Sequence, residues 1–374
     1  MKRVYLLLAL GLALSAGLPP AARAQGPLTP PGAPAPTMKT LAQIEPRVAI
    51  TNVPYTITQP GSYYLTTNFT TAGSGVIVQA NRVTVDLMGF ALTGDNDEIG
   101  YGVWVGGQPG APWREVVVRG GSVAGFSSGI FFEYVQNGRI EGVSVSGNVN
   151  QGVKLYGAYG GPCSGNAVVG CAISGNGYHG VLVDGTQSGG RCEANTIERC
   201  VISGNGASGV LLTGGSGGRC LGNTVAECTV SGNQNDGIGL SGLEGRCDGN
   251  LIARCSISAN GASGVRLNGV SGQASGNRVE NNLFVENADS GIRLEGVAGN
   301  RIQNNHVTGS TGAGNFGLIS YQTSVANLIV QNMCLGYQVN FSLSTNDVNG
   351  PVVYSPSTLA TNGAAMSPWA NFYR

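Results

Sequence analysis

The stretch Asn195–Thr213, NTIERCVISGNGASGVLLT, decides how this chain folds. It holds three short apolar-centred segments: Asn195-Thr196-Ile197, Val201-Ile202-Ser203 and Gly209-Val210-Leu211-Leu212. Each is too short for a helix and reads as a strand. Gly and Asn lie around the breaks, and both tolerate the left-handed backbone angles of tight corners.

The arrangement recurs along the chain. Glycine followed by a β-branched residue or Leu, any residue, and an apolar residue occurs at Gly75, Gly102, Gly129, Gly152, Gly180, Gly209, Gly237, Gly264 and Gly291, and continues at Gly317 with Ser320 in the last place. The spacings are 27, 27, 23, 28, 29, 28, 27, 27 and 26. A second pattern is locked to it, as in Asn250-Leu251-Ile252 followed by Ile257-Ser258-Ala259-Asn260. Short β-segments at such a period mean a solenoid or a propeller, and a propeller blade needs roughly 40 residues or more. The shorter period fits one coil of a parallel β-helix. Equivalent residues then stack at about 4.8 Å, so ten or eleven coils make a rod of roughly 50 Å. Val, Ile and Leu form inward ladders. Asn166, Asn195, Asn223, Asn250, Asn277 and Asn300 are expected to form an amide ladder at one corner.

Composition excludes the alternatives. There are 62 glycines in 374 residues and 32 asparagines, none before Asn52. Charged residues make up only 11%, and lysine occurs three times. Helical bundles are rich in Ala, Glu, Lys and Leu, and collagen needs glycine every third residue. A net charge of zero does not suit a nucleic-acid binder, and 41% hydrophobic residues do not suit disorder.

Lys2 and Arg3 precede an apolar run from Val4 to Leu18, and Ala22-Arg23-Ala24 forms a cleavage site. Residues 1–24 therefore read as a secretory signal peptide. The run is shorter than the roughly 20 residues of a membrane span, and no later stretch is long enough. The mature chain carries 17 basic and 20 acidic groups. Residues 25–45 read as a proline-rich linker. Residues 46–345 read as the β-helix with its N-terminal cap, and 346–374 as a C-terminal cap or tail. The expected product is an exported monomer, secreted or periplasmic.

Eight of nine cysteines come in four pairs: Cys163/Cys171, Cys192/Cys200, Cys220/Cys228 and Cys247/Cys255. Each pair is eight residues apart, and one coil later both positions change together, to Ala274 and Asn282. Export permits disulfides, and this joint loss favours bonds within a coil. The rival is bonding along a ladder, such as Cys171 to Cys200. Cys334 is left over and reads as buried.

The Asn-x-Ile…Gly-Asn…Gly-Val/Ile-x-Leu coil resembles the right-handed parallel β-helix of the pectate-lyase-like superfamily. Tyr55-Thr56-Ile57-Thr58-Gln59-Pro60-Gly61-Ser62-Tyr63-Tyr64-Leu65 and Val83-Thr84-Val85-Asp86-Leu87-Met88-Gly89-Phe90 resemble a bacterial secreted branch of it, as does Ser367-Pro368-Trp369-Ala370-Asn371-Phe372. The resemblance covers roughly residues 50–374. It implies the fold but no single activity, because members include lyases, hydrolases, epimerases and proteins with no known reaction. The polygalacturonase-type motifs Asn-Thr-Asp, Asp-Asp, Gly-His-Gly and Arg-Ile-Lys do not occur. Tyr178-His179-Gly180 comes nearest but lacks the paired aspartates, so His179 reads as a turn or surface residue, and His306 likewise. Two distant histidines and few methionines read as no metal centre.

Outward positions on the Gly-Val-x-Leu-x strands offer a candidate site. Trp104, Phe131, Glu133, Lys154, Tyr156 and Asp184 form an aromatic stripe beside acids and the rod's only lysine. Aromatic faces stack on sugars and carboxylates hold hydroxyls, so these six are the expected ligand-binding residues. Lys154 as the base of a uronate lyase, or Glu133 with Asp184 as an inverting pair, are the catalytic candidates. Stacked Arg191, Arg219 and Arg246 read as neutralised by nearby acids, and Arg199, Glu227 and Arg254 as a salt-bridged surface ladder. The sequence therefore predicts an all-β right-handed parallel β-helix that binds a polysaccharide or cell-envelope glycan, or serves a structural role, without catalysis. A polysaccharide lyase or glycoside hydrolase is the alternative. No cofactor is expected, with calcium only in the lyase case, and no nucleic-acid partner.

Overall fold

The computed structural model describes residues 45–97, 99–309, 315–354 and 367–373. The expected signal peptide and the expected linker through residue 44 lie outside the described residues. The described residues from Arg47 onward form a right-handed parallel β-solenoid of about ten turns. Its strands form four parallel sheets of 13, 13, 12 and 5 strands. In the coil quoted above, Thr196–Glu198 belongs to the first sheet, Val201–Ser203 to the second and Val210–Thr213 to the third. Arg219–Leu221 belongs to the five-stranded fourth sheet.

Most strands of the first two sheets are three residues long. Alternation then sends one side chain inward and two outward. Ile202, with Ile173 and Val230 in register on either side, is fully buried, whereas Ser203 beside it is only half-buried. Fully burying such a residue contributes about 1.5–3 kcal/mol, so the columns supply most of the cohesion. Cys334 continues one such column, buried in register between Val307 and Tyr373.

Asparagines run through the corners in columns. Asn195 donates from its backbone N–H (2.8 Å) and its Nδ2 (3.0 Å) to Asn223 Oδ1, and Asn223 repeats this on Asn250. The expected column from Asn166 to Asn300 is present and continues to Asn327 and Asp347. A second column links Asn148, Asn176, Asn205, Asn233, Asn260 and Asn287. Another corner is turned by one residue with a left-handed backbone: Gly142, Gly170, Arg199, Glu227 and Arg254, with φ between 53° and 60°. The last three form the expected surface ladder, with Glu227 3.8 Å from Arg199 and 3.0 Å from Arg254.

The expectation of within-coil disulfides is corrected. All nine cysteines are free thiols. Cys163, Cys192, Cys220 and Cys247 stack in one column, while Cys171, Cys200, Cys228 and Cys255 stack in another. A strand of the first sheet separates the two columns in every coil, so each sulfur meets its equivalent in the next coil. The second column passes directly into asparagine: Cys255 N–H donates to Asn282 Oδ1, and Asn305, Asn332 and Asn371 follow. In the C-terminal stretch, Val348–Asn349 joins the first sheet, and Val352–Tyr354 and Asn371–Tyr373 join the second.

Candidate functional site

The third sheet carries the expected site. Its strands are four residues or longer over most of its length and present two outward columns. One runs Trp104, Phe131, Lys154, Leu182, and the other Glu133, Tyr156, Asp184. All six expected residues are brought together. Trp104 Nε1 donates to Glu133 Oε2 at 3.2 Å. Lys154 Nζ lies 3.5 Å from Asp184 Oδ2, 4.4 Å from the Tyr156 ring centroid and 5.5 Å from that of Phe131. Phe131 is only 6% exposed, covered by neighbours that include Tyr101 at 4.9 Å between centroids. It is a wall of the site, and Trp104 and Tyr156 are the half-exposed rings.

Of these, Phe131, Glu133, Lys154 and Tyr156 line a concavity of about 460 Å³ with Tyr101, Ser127, Ser128, Asn150 and Gln151. Burial raises the Glu133 pKa, opposed by the Trp104 hydrogen bond and the Lys154 charge. Burial and the Asp184 charge push Tyr156 up to about 12, so its hydroxyl stays protonated. The catalytic candidates occupy this same network. Lys154 is held by Asp184 and two rings. Glu133 and Asp184 are two coils apart, roughly 10 Å, with Tyr156 in register between them.

A third outward column went unread in the sequence. It consists of the residue just before each repeat glycine: Tyr101, Ser128, Gln151, His179, Ser208 and Asp236. Tyr101 and Ser128 open their strands, whereas Gln151, His179, Ser208 and Asp236 lie just outside theirs, and all six line the same groove. Their position immediately before a fixed glycine is the signal that would have found them. His179 is buried, at 5% exposure, and is not a surface residue. Two further concavities, of about 210 and 610 Å³, follow along the same sheet. Elsewhere on the surface, Arg246 of the stacked arginines pairs with Asp248 at 2.8 Å.

An all-β solenoid of stacked parallel sheets with an open groove along one of them is a right-handed parallel β-helix. Residues 75–290 match the family described as periplasmic copper-binding protein (NosD), and the chain belongs to that family. No curated protein matches the chain. Among solved structures it is similar to the mannuronan C-5 epimerase AlgE6 A-module of Azotobacter vinelandii. That match has 18% identity, covers 82% of this chain and 83% of that one, and has a TM-score of 0.60. The periplasmic alginate epimerase AlgG is similar at 14% identity, with 79% and 76% covered and a TM-score of 0.54. A tailspike protein of E. coli bacteriophage HK620, in complex with a pentasaccharide, is similar at 15% identity, with 79% and 58% covered and a TM-score of 0.52. At these identities the likeness is one of fold.

The described residues do not fit a resident copper centre. Among them no three His, Cys, Asp or Glu side chains converge as a donor set. His179 and His306 serve different sheets, His306 in a strand of the second and His179 beside the third. Burial pushes the Cys192, Cys220 and Cys334 thiols up, away from the thiolate form that binds soft metals.

Proposed function

We propose that this chain is an exported, periplasmic glycan-binding β-helix that holds a polysaccharide along its third sheet without cleaving it. The carrying observation is the Trp104–Glu133 and Lys154–Asp184 network between half-exposed rings. Trp104 and Tyr156 offer faces for the apolar side of a sugar, while Glu133, Asn150, Gln151 and Ser128 offer hydrogen bonds to hydroxyls. Every candidate catalytic group is engaged with another side chain, which suits a preorganised binding surface better than a free base or acid. That the similar structures are described as alginate and mannuronan epimerases and a tailspike holding a pentasaccharide supports a polysaccharide ligand.

The test is a glycan array on the full mature chain, with ultraviolet detection of unsaturated uronate products. Retention of a polysaccharide without new absorbance is expected. In the double variant Trp104→Ala with Tyr156→Ala, retention falls at least tenfold while the melting temperature holds. No retained glycan overturns the reading. Absorbance that grows with time replaces it with a lyase and makes Lys154 the first residue to substitute.

A further inference from the structure

We propose that the concavity over His179, Ser208 and Asp236 is a separate subsite that takes one neutral pyranose unit through its hydroxyls. This rests on reading the third sheet as a glycan-binding face.

The concavity exists because one side chain is missing. The outward column Phe131, Lys154, Leu182, Leu211 continues to Gly239 and then to Arg266. At Gly239 the row of side chains is interrupted, and about 210 Å³ opens beneath. The backbone does not demand glycine there, since Gly239 is not among the left-handed residues. A Cβ at that position would touch one atom, Leu211 Cδ1, at 3.0 Å. The opening is thus a property of the surface and not of the coil.

Its floor is polar and underused. His179, Ser208 and Asp236 come from three successive coils and are 5%, 2% and 5% exposed. The Ser208 N–H donates to His179 Nδ1 at 3.2 Å, which places the ring proton on Nε2. Burial lowers the His179 pKa to about 4, so the ring is neutral. The Ser263 N–H donates to Asp236 Oδ1 at 3.0 Å. The Ser208 hydroxyl and Asp236 Oδ2 have no hydrogen-bond partner among the described residues. The floor therefore offers an N–H donor, a hydroxyl and a carboxyl acceptor side by side. Sugar hydroxyls both donate and accept, and they match such a row. A carboxylate ligand would face Asp236. Tyr178, half exposed with its ring centroid 4.2 Å from that of His179, supplies an apolar wall for the sugar's C–H face.

The test uses the full mature chain on the same glycan array. Gly239→Leu copies the residue one coil earlier and fills the opening without touching the floor. Asp236→Asn alters the floor without filling it. Each is expected to lose at least tenfold in retention of glycans that bind the wild type, with an unchanged melting temperature for Gly239→Leu. If Gly239→Leu fails to fold, Asp236→Asn decides. Wild-type retention in both variants, while Trp104→Ala with Tyr156→Ala loses it, overturns the subsite and leaves the glycan reading standing. A wild type that retains no glycan overturns both.

Discussion

The two sides of the third sheet obey different rules. Facing inward, Val181 and Val183, Val210 and Leu212, and Ile238 and Leu240 repeat one chemistry coil after coil. Facing outward, these strands and their neighbours on either side carry Lys154, Leu182, Leu211, Gly239 and Arg266 in a row that hardly repeats. The reason is what each side chain touches. An inward residue packs on its own equivalents above and below, so one departure leaves a cavity or an orphaned polar group in two neighbours. An outward residue meets solvent or a ligand. The repeat therefore marks the scaffold, and its interruptions mark the binding surface.

The comparison is broken most severely at an inner asparagine. Asn223→Ala removes the acceptor for both the N–H and the Nδ2 of Asn195, and the donor to the Cys192 carbonyl. Orphaning buried groups costs about 1–3 kcal/mol each, so a loss of about 3 kcal/mol or more is expected in urea unfolding. A loss under about 1 kcal/mol would mean that the amide columns are not what hold the corners.

A buried outward residue stands between the two rules. His179 has a folded pKa of about 4 against an ordinary 6.5. Between those values the unfolded chain binds a proton that the folded chain refuses. Stability is thus complete above about pH 6.5 and declines as the pH falls toward 4, by up to about 3 kcal/mol. His179→Gln is expected to flatten that slope. An unchanged acid profile would show that His179 is not its source.

Where the cysteine column meets the asparagine column, the inner rule can be sharpened. In Cys255→Asn, the new amide can donate to Asn282 Oδ1 and to the Val225 carbonyl, as Asn282 does to Asn305 and Ile252. Stability should change by less than about 1.5 kcal/mol, far below the loss at Asn223, because the polar groups stay paired. A large loss would show that the column needs the smaller thiol.

Much of this was legible in the residues. The fixed glycine and asparagine spacing dictated the coil, since only a stacked solenoid places Asn195 on Asn223 and Ile202 on Val230. The cluster from Trp104 to Asp184 followed from outward alternation alone. The cysteine columns were misread because the pairwise change to Ala274 and Asn282 looks like the loss of a bond. It is the independent packing of two columns, one turning apolar and one amide. The His179–Ser208–Asp236 column was missed because residues before a corner glycine leave the alternation of the strand, and only their fixed place before the repeat glycine marks them.

The smallest effect belongs at the outer corner. Arg254 bonds Glu227 through Nε at 3.1 Å and Nη2 at 3.0 Å, but both side chains are exposed, and such pairs contribute about 0.2–1 kcal/mol. Arg254 also holds a left-handed backbone at φ 54°, where Gly142 and Gly170 stand in earlier coils. Left-handed strain in a residue with a Cβ costs about 1–2 kcal/mol, and glycine returns much of that relief through its freer unfolded chain. Arg254→Gly should therefore lie within about 0.5 kcal/mol of the wild type in urea unfolding. Arg254→Ala keeps the strain, loses the ion pair and should be the less stable of the two. The opposite order would mean that the surface ladder, and not the corner geometry, sets stability there, and the outer face would then share the inner face's dependence on its neighbours.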